Sequence, residues 1–508
     1  MSLVDPLSIA LSGIANTNRN LAVISQNIAN ANTPGYIHES HQQSAFGSGG
    51  LPLGVRSGLT VRDLDAALQG QVTIQNAAVG QDSTRADALA QIDQVQGKPG
   101  AGNDLTSQIG KLRDSFSTLL TDPASTPQQQ AVVDQAATVV AQLHTTAQAI
   151  SQQRQAAQDG LAADIGTLNA SLNGIGGLNR QIIAVRGVGG STADLENQRD
   201  AAAQNASKFL GLTFVAQANG GMTVLTTSGL QLPTDGSQGL TVAAATLGPA
   251  SFYPGGGVPT VTLHGLDVTT SLRSGSIGAS VTLRDVMLPT LQGSFDEFAQ
   301  TLASRFSAQG LTLFTDPGGT VPAAAAAGPR QAPFVGFAGS IVVNPAVRAQ
   351  PGLVRDGTNG IAGAAGGASA FTPNVPGGPG GFTGMVTRIL DFAMTGNVAP
   401  NVAQPAPSLT AMGPLGTLAS PIAAQAALGA FSTALLAGQA AAAADAASVA
   451  TTSGDTQKAL QQSLSQSSGV NMDTELAQMV QLQNAYAANA RVITTMQSLW
   501  TQLLQSVQ

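Results

Sequence analysis

Apolar residues recur at a spacing of seven at both ends of the chain. Near the start, Leu7, Ile14, Leu21 and Ile28 form one row, widened by Val4, Leu11 and Ile24. That spacing predicts a helix with a single apolar seam. Asp5 before Pro6 suits a cap with proline at the first helical position. Thr33-Pro34-Gly35 should end the helix, because the residue before a proline avoids the α region and glycine favours a turn. Its length is about 40 Å at 1.5 Å per residue. At the other end, Met479, Tyr486, Ile493, Trp500 and Val507 repeat the spacing. Leu482, Met496 and Leu503 form a second row, and Ala485, Val492 and Leu499 a third. These rows are neighbours on a helical wheel, so close to half of that helix is apolar. Asn471 or Asp473 can cap it, and Glu475 in the first turn suits the helix dipole. A lone helix of this kind does not hold a fixed structure, and its stability must come from packing. The expected partners are the helix at the other terminus and the same helices in neighbouring copies. A pair of ordinary core helices in a globular domain would show the same periodicity.

Between the ends, Ser40 to Leu59 reads as a Gly- and Ser-rich loop with a short hairpin. Residues 60–96 read as a helix, closed by Lys98-Pro99-Gly100. Asp104 to Leu120 and Gln128 to Ile183 follow as helices, the second with an expected break at Gly160 and a weak stretch at 173–177. Asp194 to Leu210 is a further helix, in which Asp194, Arg199 and Asp200 either pair to fix a corner or stay solvated. From Leu212 the period changes to two. Thr213–Ala216, Met222–Thr226, Leu240–Ala243, Val258–His264 and Ile277–Val281 are expected as strands. Leu283 to Gln309 is helical, with Leu291, Phe295, Phe298, Leu302 and Phe306 on its apolar face. Residues 316–424 are rich in Gly, Pro and Ala and read as an outward, loop-rich stretch, poorly ordered in part. Ala423 to Ser467 leads back to the terminal helix.

The fold class expected is therefore mainly α with β. Long terminal helices form a coiled-coil-like inner layer, beside a helical-bundle domain and inserted small β domains. The boundaries expected are 1–58 with 468–508 for the terminal region, and 59–210 with 284–310 and 425–467 for the helical domain. Residues 211–283 form the β domain and 311–424 an outer module.

Composition narrows the function. The 508 residues are 43% hydrophobic but only 4% aromatic and 10% charged, with 59 glycines. This suits long, weakly hydrophobic helices better than a compact metabolic enzyme. The net charge of −7, without a basic tract, argues against nucleic acid and anionic membrane as partners. No cysteine is present, so no disulfide or thiolate metal site exists. Met1 to Leu11 carries no Lys or Arg, and Asp5-Pro6 interrupts any apolar run, so no cleaved secretory signal is expected. The uncharged tract 421–444 is too rich in Ala, Gly and Gln for a membrane span.

A search for chemistry finds little. His38-Glu39-Ser40-His41 places its histidines three apart, whereas the metalloprotease pattern needs four. His144 and His264 have no sequence-adjacent partners. No nucleophile elbow, phosphate loop or dinucleotide fingerprint is present. Residues 311–424 offer Asp316, Arg330, Arg348, Arg355, Asp356, Arg388 and Asp391, with no acid–base pair among them. No catalytic, cofactor-binding or metal-binding residue and no cofactor is expected.

The two ends also carry a resemblance. Ala10-Leu11-Ser12-Gly13, with Asn27-Ile28-Ala29-Asn30-Ala31-Asn32-Thr33-Pro34-Gly35-Tyr36, resembles the shared N-terminal motif of bacterial flagellar rod, hook and hook-associated proteins. Ser468-Gly469-Val470-Asn471 and 485–496 resemble the matching C-terminal motif. The motif residues are Asn27, Asn30, Thr33, Pro34, Gly35, Tyr36, Gly469 and Asn471. The Ser468–Asn471 opening, Leu178-Asn179-Arg180-Gln181-Ile182 with 193–200, and the long helical region after residue 60 resemble the hook–filament junction members. Two departures stand out. Ile37-His38-Glu39-Ser40 replaces a short polar run that usually contains Arg, and 311–424 matches little beyond Val342-Val343-Asn344-Pro345. The resemblance implies a secreted structural subunit of the flagellum, exported by the flagellum's own type III channel without a cleaved signal. Its partners would be copies of itself, the hook protein, the next junction protein, and an export chaperone on the C-terminal helix. Leu7, Ile14, Leu21, Ile28, Met479, Tyr486, Ile493, Trp500 and Val507 would form the assembly seam. A hook protein or other axial subunit is the alternative, although hook proteins have a shorter helical region before their β domains. An enzyme or adhesin carried in 311–424 is a third reading.

Overall fold

A computed structural model describes residues 4–33, 35–48, 51–97, 100 and 102–506. Helix α1 (Val4–Asn30) opens the chain, with Asp5 in its first turn. Strands β1 (Glu39–Ser48) and β2 (Leu51–Arg62) pair antiparallel, Glu39 opposite Arg62. The short hairpin expected within a loop is thus a long one that takes in nearly the whole stretch. Helices α2 (Ala66–Gln96) and α3 (Leu105–Thr121) follow, and Asp104 caps α3 by accepting from Ser107 N at 3.0 Å. Helix α4 (Thr126–Gly187) runs unbroken for 62 residues. Gly160 and Gly174 each cost about 1 kcal/mol in a helix interior. Leu161, Ile165, Leu168, Leu172 and Ile175, all buried at helical spacing, override that cost.

After α5 (Ala193–Phe209) come β3 (Leu212–Ala216), β4 (Met222–Thr226), β5 (Gln231–Leu232), β6 (Leu240–Val242), β7 (Val261–Leu263) and β8 (Leu266–Asp267). They form two three-stranded sheets, β3–β4–β5 and β6–β7–β8, rather than one. The expected strand at Ile277–Val281 is instead helix α6 (Gly275–Thr282), with Ile277, Gly278, Ala279 and Ser280 buried. Ile277 and Val281 are four apart and share a helical face, and the small residues between them fit a close-packed helix. A π turn over Leu283–Met287 joins α6 to α7 (Leu288–Ala308). The rest runs through β9 (Phe314–Thr315), β10 (Val342–Val343), the short helices α8 (Pro345–Ala349), α9 (Leu353–Asp356) and α10 (Gly384–Arg388), then β11 (Asn397–Ala399) and β12 (Val402–Ala403). Helices α11 (Leu428–Ser468) and α12 (Met472–Ser506) close the chain.

The chain divides into two compact units. The first takes in Met1–Gly80, Gly166–Leu240 and Thr452–Gln508, and the second Gln81–Ile165 and Thr241–Thr451. In the first unit, α1 packs against both the β1–β2 hairpin and α12. Ile24, Ile37, Ile182, Leu212, Val224 and Leu464 are among its buried apolar residues.

The second unit holds the large core. Phe306 of α7 lies 6.0 Å from Phe116 of α3 and 5.4 Å from Phe314, centroid to centroid. Phe298 lies 5.4 Å from Phe431 of α11. Residues 311–424, expected as an outward module, put Leu313, Phe314, Phe334, Phe337, Ile341, Val354, Met385 and Ile389 into this same core. Buried arginines tie the irregular backbone down. Arg154 donates to the carbonyls of Gly248 and Ser251, at 3.2 and 2.6 Å. Arg388 donates to those of Gln309 and Ser369, at 3.1 and 2.9 Å. Arg305 reaches the Ala426 and Pro405 carbonyls. Each guanidinium satisfies several carbonyls of a segment that has few strands to pair them. Asp296 is fully buried and accepts from the amides of Gly336 and Ala338 at 2.7 and 2.9 Å. Burial pushes its carboxyl up to about 7, against the pull of those two amides.

Candidate assembly site

In the first unit, α1 and α12 run antiparallel. Gly13 sits where an added Cβ would come within 2.9 Å of the Asn489 side chain, while Asn27 donates to Glu475. Moving 14 residues forward in α1 (27 − 13) therefore moves 14 back in α12 (489 − 475). The small residue at Gly13 lets the helix surfaces close up.

The half-buried face of α12 carries Met479, Leu482, Asn489, Ile493 and Met496. Leu7, Ile14, Leu21 and Ile28 are half-buried on α1. The expected seam is thus divided: Met479 and Ile493 are partly covered, while Tyr486 and Trp500 are exposed. Val507 lies outside the described residues. The flanking positions Leu476, Val480, Val492, Leu499, Leu503 and Leu504 are also exposed. Continuing the same register, residue 498 of α12 falls opposite Val4 (489 + 9 against 13 − 9). Trp500, Leu503 and Leu504 therefore have no described residue of α1 opposite them. Exposed apolar side chains thus line this side of α12.

The motif residues meet at the other end of the helix pair. Asn471 caps α12, its Oδ1 accepting from Asp473 N and Thr474 N at 3.1 and 3.2 Å. A side chain at Gly469 would strike the Ser465 carbonyl, with Cβ at 2.3 Å, and Gly35 takes a left-handed φ of 80° in the turn after α1. Asn30 donates to the Gln26 carbonyl, and the Thr33 hydroxyl donates to Asn30 Oδ1. Pro34 lies outside the described residues.

Asn27, 1% exposed, is the hub. Its Nδ2 donates to the Glu39 carbonyl at 2.9 Å and to Glu475 Oε2 at 3.1 Å. Its Oδ1 accepts from Tyr36 OH at 3.1 Å and from Glu39 N at 3.2 Å. Glu475 Oε1 faces His38 Nε2 at 3.0 Å. Behind the hub, Glu39 Oε1 accepts from Asn197 Nδ2 at 3.0 Å. Arg62 bridges Glu196 at 3.1 Å and Asp200 at 2.6 Å. Asp200 thus pairs with Arg62 and not with the adjacent Arg199, which donates to Asn179 Oδ1 and the Gly220 carbonyl. Asp194 accepts from Gln198. Arg62, and the link from Glu475 to His38 across more than four hundred residues, carry no local sequence signal. His41 points elsewhere, to Ser57 Oγ at 2.6 Å, so the four residues 38–41 do not converge on one point.

Burial pushes the Glu39 carboxyl up to about 7, helped by Asp194 and Glu196 and opposed by Arg62. Burial also raises the Tyr36 phenol, with the charges of Glu39, Asp194 and Glu475 adding to it. Between the ordinary 4.5 and about 7, the folded chain holds the Glu39 proton while the unfolded chain has lost it. Stability from this group is fully present below 4.5 and is lost as pH rises through 7. Glu39→Gln, which still offers Asn197 an acceptor, should flatten that part of the pH–stability curve and raise stability above neutrality. Denaturant melts of the first unit at a series of pH values check this; a parent slope retained in Glu39→Gln refutes it.

Three family models match the chain. The model described as the flagellar hook-associated protein FlgK helical domain covers residues 89–321. That of the flagella basal body rod protein covers 7–36, and that of the flagellar basal body rod FlgEFG protein C-terminal region covers 460–506. Flagellar hook-associated protein 1 of Salmonella typhimurium is 27% identical over 322 residues, 59% of this chain and 55% of the relative. That of Escherichia coli K12 is 24% identical over 315 residues, 59% of this chain and 56% of the relative. The matches thus span a little over half the length of these relatives. Among solved structures, the flagellar hook junction protein FlgK of Burkholderia pseudomallei aligns with a TM-score of 0.41 at 24% identity, covering 50% of this chain and 45% of that one.

Proposed function

We propose that this chain is a member of the flagellar hook-associated protein family, a structural subunit of the bacterial flagellum and an adaptor at the hook–filament junction. Helices α1 and α12 are its assembly elements, forming the inner layer with copies of the chain and contacting the hook protein and the next junction protein. The observation that carries the reading is the uncovered apolar surface of α12, alongside an α1–α12 pair built from the motif residues. Matches to rod-protein models at both termini, and to a hook-associated helical domain over 89–321, favour the junction adaptor over the hook protein. The subunit is non-catalytic and works outside the cell, reaching the flagellum by the flagellum's own export route. No helix of the described residues is long and apolar enough to cross a membrane. Before assembly, an export chaperone covers α12, so removal of 470–508 should abolish its binding.

Deleting the gene in the source bacterium tests the reading. Hooks without attached filaments, restored by the intact gene, are expected. Normal filaments in the deletion strain would overturn it.

A further inference from the structure

We propose that Glu475 is the positioning residue that sets where α12 seats on α1, held there by Asn27 and His38. The purpose of that seating rests on the reading of α1 and α12 as assembly helices; the seating itself does not.

A seam of apolar residues at sevenfold spacing does not fix its own register, because a shift of one repeat offers a similar seam. A single buried polar residue removes that freedom. Among the described residues of α12, Glu475 is the buried one, 1% exposed. Its two oxygens are taken by different parts of the chain: Asn27 of α1 at 3.1 Å, and His38 at the root of β1 at 3.0 Å. His38 N also donates to the Ser468 carbonyl at 2.8 Å, tying the α11–α12 junction to the same point.

A carboxyl group buried to this degree needs a partner for its oxygens. Arg62, from β2, is engaged by Glu196 and Asp200, and the ion-pair partner of Glu475 is His38. The other ionisable groups around the clasp are Tyr36 in the turn after α1, Glu39 on β1, and Asp194, Glu196 and Asp200 on α5, with Arg199 beside them. The N-terminal end of α12 adds a favourable dipole for the carboxylate.

The chain has no cysteine, so two spin labels can be placed cleanly, at Ser8→Cys on α1 and Gln497→Cys on α12. Both positions are exposed. Distances are measured on the full soluble chain. The expected result is one short distance in the parent. Glu475→Gln keeps an acceptor for Asn27 and should stay docked. Glu475→Ala should give a broad distribution, and Glu39→Gln should keep the short distance. A broad parent distribution, or a short distance retained in Glu475→Ala, overturns the proposal. A variant that undocks yet still restores filament attachment would instead count against the assembly reading and leave the positioning role standing.

Discussion

Leu503→Asp is expected to abolish incorporation into the flagellum while leaving the melting of the soluble chain unchanged. Leu503 is half exposed, on the part of α12 that continues past the described residues of α1, so the folded monomer loses little contact. In an assembly that buries this face, the new carboxylate would be desolvated without a partner. That costs about 3 kcal/mol or more, equivalent to at least a hundredfold in affinity at each contact. Ile493→Asp gives the instructive contrast. Ile493 lies on the partly covered face toward α1, so its replacement should block incorporation and also free α12 in the monomer, with the second unit still folded. Both variants are read by filament attachment in cells and by melting in solution. Normal attachment with Leu503→Asp would remove the exposed face from the account.

Phe306→Ala should destabilise the second unit by about 3–5 kcal/mol, the cost of truncating a fully buried phenylalanine. Phe306 touches Phe116 on one side and Phe314 on the other, joining α3 to the irregular 311–424 stretch. Hydrogen exchange should show α3, α7 and the backbone around Phe334–Ile341 losing protection together. If 311–424 kept its protection while α3 and α7 lost theirs, the stretch would be an independent module.

The helices were legible because burying one face of a helix imposes a period that survives in the sequence; α4 ignores its glycines because the buried leucines and isoleucines around them outweigh their cost. At 39–62 the sequence shows only a loop with a short hairpin, because its residues are polar and glycine-rich, and the strands run longer than that. The hairpin forms where α1 packs against it, with Ser12 Oγ accepting from Val55 N at 3.1 Å. Residues 277–281 were read as a strand because short apolar runs do not distinguish strand from buried helix. The 311–424 stretch hid its role for another reason. Its core residues are widely spaced, and its carbonyls are in part taken by arginines, Arg305 of α7 at Pro405 and Arg388 of α10 at Ser369.

The candidate site was legible as a pattern and not as a geometry. The seam spacing and motif residues identified α1 and α12, and Asn471 caps as its type suggests. What spacing could not reveal is that Asn27, His38 and Glu475 meet, or that Arg62 answers the acids of α5. Those contacts depend on chain closure between the two ends.

Trp500 offers the most direct test of the central claim that the exposed face of α12 is the assembly surface. It is the only tryptophan of the chain and is 49% exposed, so its emission reports this face alone. Fluorescence with a soluble quencher would be measured on the purified chain across a concentration series, up to conditions in which it self-associates. The monomer should give quenchable, red-shifted emission that becomes shielded and blue-shifted as assemblies form. Assemblies in which Trp500 stays as accessible as in the monomer would contradict it.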